Sequence, residues 1–416
     1  MTGTTKSPLM PMAIIGGMFF VFGFVTWLNG PLITFVKLAF RLDDVSAFLV
    51  PMAFYMSYFF LSLPAAAILR RTGMKGGMAL ALLVMAVGAG LFGQFVDMRL
   101  FPGALTALFI IGAGLSILQT ASNPYISILG PIDSAAQRIA FMGICNKLAG
   151  ALAPLAFAAV VMSGIDGLAD RVAAASPVDR EVLLNAFAHK VYLPYMAMAG
   201  LLAVLALLVR LSPLPEISDR ANADLAPKGG LFGHPNLWLG FICLFLYVGV
   251  EVMAGDAIGT YGRGFNLPLD QTKYFTSGTL VAMLAGYVVG LVVIPRFVSQ
   301  ARYLAVSALL GVVLTIAAYL TRGYASVACV AALGFANAMM WPAIFPLGIK
   351  GLGRYTETGS AILVMGIAGG AVVPQIFAWL KASLDFQLVF CALMVPSYLY
   401  ILFFGLFAAR GDARAK

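Results

Sequence analysis

Charged side chains are scarce in this chain. Asp, Glu, Lys and Arg together make up 10% of its 416 residues, against 62% hydrophobic. A soluble globular domain carries about a quarter charged residues, so that class is excluded. Histidine is rarer still: His189 and His234 are the whole supply, and both fall at the ends of apolar runs. The four cysteines, Cys145, Cys243, Cys329 and Cys391, sit singly in separate apolar runs with no CxxC spacing. Neither a disulfide framework nor a metal centre is indicated. Catalytic signatures are missing as well. There is no HExxH, no GxSxG, no phosphate-binding GxxxxGK loop and no dinucleotide-binding glycine pattern. Hydrolysis and ATP-driven transport therefore lack a site, and the chain does not read as an enzyme. No cofactor is expected beyond a possible coupling Na⁺ or H⁺.

What the chain has in abundance is apolar sequence. About 20 apolar residues span a bilayer as a helix, the form that satisfies every backbone polar group internally. Twelve such runs are predicted, at roughly 12–37, 45–69, 76–96, 102–129, 138–163, 191–210, 236–260, 271–295, 303–320, 325–349, 359–381 and 386–408. They are continuously apolar rather than alternating, which argues against a β-barrel. The first run is too long for a signal peptide and lacks a small-residue cleavage site. The stretch 211–235 is the one long polar connector between runs on its side, and it divides the chain into six runs before it and six after. The predicted organisation is a helical bundle at 1–210, a linker at 211–235 and a second bundle at 236–416. A further polar excursion, about 164–190, is expected outside and partly helical.

Orientation follows from basic residues. With both termini in the cytoplasm, that side collects fifteen Lys and Arg and the other ten. Positive-inside bias therefore predicts cytoplasmic termini and an inner (plasma) membrane location. The net charge of +9 reads as anchoring to the anionic inner leaflet of the lipid bilayer, with no nucleic acid as partner.

One phrase occurs twice. The segment from Gln119 through Asn123 and Pro124 to Gly130 returns as Asn337 through Trp341 and Pro342 to Gly348, an amide preceding proline by five positions each time. A second apolar stretch follows each copy, with Gly150 before Pro154 and Gly370 before Pro374. Approximate duplication of a hydrophobic unit is how many transporters frame a central site. Gln119 and Asn123, four apart, share one helix face; Asn337 and Trp341 do the same in the second copy. Amides donate and accept together, and an indole covers an apolar ring face, so the set suits an uncharged polyhydroxylated ligand. Amides that merely bond to neighbouring helices are the other reading.

Other polar groups in the apolar runs need a reason, since each is costly in lipid. The first run carries Phe20, Gly23, Trp27, Asn29 and Gly30, and the pair Gly30–Pro31 is placed to open the helix. Trp27 belongs either to this patch or to an interfacial belt. On the fifth run Asn146 and Lys147 lie too deep for Lys147 to snorkel, so it needs a partner or a wet cavity. Glu251 is the one firmly intramembrane carboxylate. Three roles are open to it: pairing with Lys147, carrying a proton, or ligating a cation such as Na⁺. Asp256, five residues on, reads as a residue at the end of its run and as a second ion-coupling candidate. Gly286 with Gly290 and Gly366 with Gly370 have the GxxxG spacing of helix packing.

These features resemble the fucose–galactose–glucose:cation symporter family of the major facilitator superfamily, in its glucose/galactose branch. The resemblance covers nearly the whole chain and rests on FFVFGFVTWLNGPLITFVKLAF, LQTASNPYISILGP, MWPAIFPLGIKGLG and GSAILVMGIAGGAVVP. RRTGMKGG is a degenerate form of the superfamily's loop motif. The resemblance implies an all-α integral membrane fold of 12 transmembrane helices in two pseudo-symmetric six-helix bundles. It implies a central cavity lined by runs one, four, seven and ten, alternating access, and usually a monomer. The fucose branch has an aspartate at Gly30 and a glutamate at Gln119, both neutral here, while a family asparagine matches Asn146. Its proton design therefore does not transfer directly.

The sequence reading is a secondary active importer of a neutral hexose, glucose or galactose, coupled to Na⁺ in preference to H⁺. Gln119, Asn123, Asn337, Trp341, Asn29, Trp27, Asn146 and Lys147 are the expected substrate-site residues, and Glu251 and Asp256 the ion-coupling ones. The alternatives are an uncoupled uniporter and a proton-coupled transporter of fucose or a related sugar.

Overall fold

A computed structural model describes residues 9–128, 135–163, 165, 167–214, 230–294 and 296–414. Among these residues the regular structure is helical, with no strand. That is what a hydrocarbon solvent requires of a chain with long unbroken apolar runs.

The helices make twelve crossings. The first comprises Leu9–Trp27 and Asn29–Ala39. The second and third lie in one continuous stretch, Leu49–Asp97, of 49 residues. At 1.5 Å per residue that is more than twice a ~30 Å hydrocarbon core. It turns back at Gly73, where φ is 71° and ψ is 171°, a backbone state that a side chain would disfavour. The fourth, fifth and sixth spans are Phe101–Ile128, Ala135–Val160 and Tyr192–Leu211. The polar excursion before the sixth holds helices Leu168–Ala174 and Pro177–His189, as its composition predicts. The seventh span is Pro235–Gly255 continued by Ile258–Arg263, the eighth Phe275–Val293 and the ninth Gln300–Leu320. The tenth comprises Gly323–Asn337 and Met340–Ile349. The eleventh comprises Thr356–Met365 and Gly369–Leu380 around a 3₁₀ turn, and the twelfth is Phe386–Arg414. Most of the connector at 211–235 lies outside the described residues, apart from its ends.

Spans one to six pack mainly among themselves, as do seven to twelve. The halves meet where span five runs against eight and span two against eleven. Large apolar side chains such as Phe60, Val87, Leu207 and Val306 are exposed on the perimeter, where lipid is the solvent. The Gly286–Gly290 spacing does what its pattern predicts. A Cβ built on Gly286 would lie 2.6 Å from Phe335 O, and one on Gly290 2.2 Å from Met339 Cγ, so span eight meets the backbone of span ten at Gly286 and the Met339 side chain at Gly290.

Four spans are interrupted rather than continuous: the eleventh by its 3₁₀ turn at Gly366–Ala368, and one, seven and ten by short turns. Span one breaks at Leu28, two residues before the Gly30–Pro31 pair expected to open it; Gly30 and Pro31 instead form the first turn of the second segment. Span seven breaks after Gly255 and span ten after Asn337. Leu28, Asp256 and Ala338 at these interruptions keep near-helical backbone angles and lie buried in the interior.

Candidate functional site

A cavity opens between the two halves. It holds about 100 Å³ of positions open to the centre of a water molecule, room for several waters at ~10–15 Å³ each. Its wall takes Phe19, Phe22, Thr26 and Trp27 from span one, Gln119 from span four, and Tyr247 and Glu251 from span seven. Trp341 and Pro342 come from span ten. The four spans expected to line a cavity do so. Spans two, five, eight and eleven also contribute, through Tyr55 and Tyr58, Asn146 and Lys147, Tyr287, and Ile367.

The polar centre is an ion pair joining the halves. Lys147 Nζ lies 2.8 Å from Glu251 Oε1, and the two side chains are only 9% and 11% exposed. Of the three roles open to Glu251 from sequence, this structure displays the pairing one. Lys147 Nζ also lies 4.3 Å from the centre of the Trp27 ring, a cation–π contact. Trp27 Nε1 donates to Asn146 Oδ1 at 3.3 Å, so indole, amide, ammonium and carboxylate form one connected group. Trp27 is 2% exposed, which excludes an interfacial belt position.

Around this group the wall is aromatic and uncharged. Four tyrosines, Tyr55, Tyr58, Tyr247 and Tyr287, join Phe19, Phe22, Trp27 and Trp341. Trp341 stacks on Phe345 with ring centres 5.7 Å apart, which fixes the indole plane. Gln119 lines the cavity, and its Oε1 makes no hydrogen bond; the same holds for Thr26 Oγ1. Buried acceptors and donors without partners are uncommon, and each has bonding capacity to offer a ligand or water.

Not every residue singled out by pattern reaches the cavity. Asn337 is fully buried behind the wall, where its Oδ1 accepts from Tyr398 OH of span twelve at 2.8 Å. Of the amide pair read from the repeat, Gln119 lines the cavity, while Asn337 meets Tyr398 of span twelve. Asn29 turns back on its own chain, donating to Thr26 O at 3.1 Å across the break in span one. The side chain of Asn123 lies outside the described residues. Asp256 is not a surface residue at the end of its run. It is 2% exposed at the break in span seven, where its Oδ2 accepts from Tyr55 OH at 3.1 Å.

The tyrosines are the functional residues that sequence reasoning missed. A signal existed: Tyr55 and Tyr58 are three apart and Tyr247 precedes Glu251 by four, so each pair shares a helix face. Polar ties between the halves also lie on one side of this cavity, toward the end carrying residues 40–44. Asp44 is bridged by both Lys37 and Lys381. Gln375 Nε2 donates to Val45 O at 3.1 Å, and Phe48 packs edge-on against Phe377 at 6.4 Å. These contacts hold the two halves together on that side of the cavity.

Comparison with known proteins agrees with this geometry. Residues 15–374 match the Major Facilitator Superfamily. A "Glucose/galactose transporter" of Brucella abortus is 33% identical over 401 residues, covering 94% of this chain and 92% of that protein. The "L-fucose-proton symporter" of Escherichia coli is 28% identical, covering 91% and 88%. Among solved structures, the transporter FucP in the outward conformation superposes with a TM-score of 0.76 at 25% identity, over 97% of this chain and 99% of that one.

Proposed function

We propose that this chain, which belongs to the Major Facilitator Superfamily and within it to the fucose–galactose–glucose:cation symporter family, imports glucose or galactose together with a proton across the inner membrane. It is a sugar transporter and not an enzyme, and it requires no cofactor. The observation that carries the choice of cargo is the character of the cavity wall. Its one cation and one anion neutralise each other, and the remainder is uncharged: aromatic rings, hydroxyls and amides, with aliphatic side chains such as Ile139, Val248 and Ile367 between them. Such a wall offers no net charge to an ionic cargo, but it gives stacking faces and two-way hydrogen bonding to a sugar. The name borne by the Brucella abortus relative supports glucose or galactose.

In this reading Gln119, Asn146 and the cavity tyrosines bond the hydroxyls while Trp27 and Trp341 cover the ring faces. Lys147 and Glu251 contribute charge-assisted bonds and tie the halves together. The end carrying residues 40–44 faces the periplasm and the termini face the cytoplasm, as the distribution of basic residues predicts. Rocking of the halves then exposes the cavity to each side in turn.

The sodium ion expected from sequence is replaced here by a proton. Glu251 is committed to Lys147, and no group of three or more acidic, histidine or cysteine side chains gathers among the described residues. Relatives from Escherichia coli and Haemophilus influenzae are named as proton symporters. The Escherichia coli name also keeps fucose as a second candidate cargo.

Counterflow in proteoliposomes with a sugar panel, followed by uptake under imposed proton and sodium gradients, tests the proposal. The expected result is counterflow competed by glucose or galactose, with accumulation driven by the proton gradient. Saturable counterflow of fucose alone would move the cargo to the second reading. Absence of sugar-competed flux in active vesicles would remove the hexose assignment.

A further inference from the structure

We infer that Asp256 is the proton-binding site of the transport cycle, a carboxyl set apart from the sugar cavity whose protonation permits closure of the end carrying residues 40–44. The inference deepens the proposed symport and rests on it for its place in the cycle.

Asp256 sits where span seven is broken, behind the cavity wall formed by its neighbours Tyr55, Glu251 and Val252. It is 2% exposed. Its Oδ2 accepts from Tyr55 OH, and its Oδ1 makes no hydrogen bond of normal geometry. The space around it is tight. A Cβ built on Gly30 would lie 3.3 Å from Asp256 Cα, and the Trp27 ring presses on Gly255 so closely that a Cβ there would come within 2.5 Å. Each neighbouring element can be checked for a counter-charge. Span two presents Tyr55, and the second segment of span one presents the first turn at Gly30. Span eight presents Thr276, whose hydroxyl is given to Gly255 O at 2.9 Å. On span seven itself the charged group nearest in sequence is Glu251, of the same sign, with the phenol of Tyr261 as far along on the other side. The cation of this region, Lys147 on span five, is held by Glu251. A carboxylate buried here has one hydroxyl and a helix N-terminus to stabilise it but no cation, whereas a carboxylic acid carries no charge to compensate.

The Tyr55–Asp256 bond crosses between the halves, from span two to span seven. Opening the end that carries residues 40–44 must part Tyr55 from Asp256, together with Asp44 from Lys381 and Gln375 from Val45. Once parted, Asp256 meets water and exchanges its proton there. Closing buries it again, and only the neutral form is buried without an uncompensated charge. Proton binding and closure are therefore linked, each favouring the other. The sign is specific: acid closes this end and alkali opens it. Asp44 has the opposite sign, because protonating it would release Lys37 and Lys381 and loosen the same end.

The test needs no sugar. Spin labels at the exposed positions Arg41 and Ser383, in protein whose four native cysteines are replaced, report the separation of the halves at this end. Pulsed electron resonance in nanodiscs from about pH 5 to about pH 9 brackets carboxyl titration from a free to a strongly perturbed value. In the wild type the long-distance population should grow as pH rises. Asp256→Asn, a neutral side chain at every pH, should hold the short distance throughout and abolish sugar accumulation driven by a proton gradient. Tyr55→Phe, which keeps the carboxyl and removes a bond made only when this end is closed, should move the midpoint to lower pH, by roughly tenfold in proton concentration. The inference is overturned if the wild-type distance ignores pH, if Asp256→Asn titrates like the wild type, or if acid opens this end. Absence of sugar flux with an intact pH response would instead strike only the proposed cargo.

Discussion

The ion pair between Lys147 and Glu251 sets a quantitative test of the cavity's charge balance. Its ends are 2.8 Å apart and nearly shut from solvent, on opposite halves of the molecule. Removing one partner leaves the other charge buried alone, which costs about 3–5 kcal/mol. With about 2.1 cal/mol/K per residue over 416 residues, single substitutions should lower Tm by roughly 3–6 °C. Lys147→Met with Glu251→Gln removes both charges and should recover most of that loss. The Trp27 ring 4.3 Å from Nζ tempers the loss in Glu251→Gln, because it still faces the ammonium and retains about 0.5–2 kcal/mol of attraction. Thermal unfolding of the four proteins in one detergent is the assay. A double variant no more stable than either single, or singles indistinguishable from the parent, would refute a compensated buried pair.

Three further outcomes follow from the same geometry. Gln119→Ala removes an amide whose acceptor has no protein partner, so it should raise the half-saturation of sugar counterflow about three- to tenfold with little change in Tm; unchanged half-saturation would take Gln119 out of the site. Asn337→Ala should do the reverse, because it strands the buried Tyr398 hydroxyl at a cost of about 1–3 kcal/mol while leaving half-saturation alone. Gly286→Ala puts a methyl 2.6 Å from Phe335 O and should destabilise by about 1–3 kcal/mol as an overpacked interface, read as a lower Tm; a neutral result would mean spans eight and ten separate more easily than their packing implies.

The twelve crossings were legible because lipid reduces the options to one. A continuous apolar run of span length has no alternative to a helix, so the predicted boundaries fall close to the observed ones. Lys147 and Glu251 were legible for a related reason: isolated charges in apolar runs stand out and must be paired or solvated. The interruption of span one was anticipated within two residues, at Gly30–Pro31, but those at Asp256 and Ala338 were not, since an interrupted helix in a well-packed bundle has nearly the composition of an intact one. Their position is set by tertiary partners, such as the Trp27 ring against Gly255, which composition does not encode. Asn337 and Asp256 stand at these two interruptions, and the neighbours they meet there, Tyr398 and Tyr55, could not be read from helical periodicity. The cavity tyrosines were overlooked for the opposite reason, being ordinary aromatic residues whose hydroxyls matter only once the halves enclose them.

The break in span seven also bears on the choice between sodium and proton. A sodium site in a broken membrane helix draws on carbonyls released where the helix stops. In this chain the carbonyls of Ala254 and Gly255 at that break already accept from Thr279 Oγ1 at 2.8 Å and Thr276 Oγ1 at 2.9 Å. The carboxylates that would complete such a shell are also engaged, Glu251 by Lys147 and Asp256 by Tyr55. A sodium ion would have to displace or share these donors and gather several oxygens at close to 2.4 Å, about the spacing hard cations require. A proton needs one lone pair, and Asp256 Oδ1 offers one. Thr276→Val and Thr279→Val therefore divide the alternatives. If a proton is the coupled ion, freeing those carbonyls should leave proton-driven accumulation insensitive to sodium. If sodium is, the same substitutions should change its apparent affinity, and finding that would return coupling to the ion first expected from the sequence.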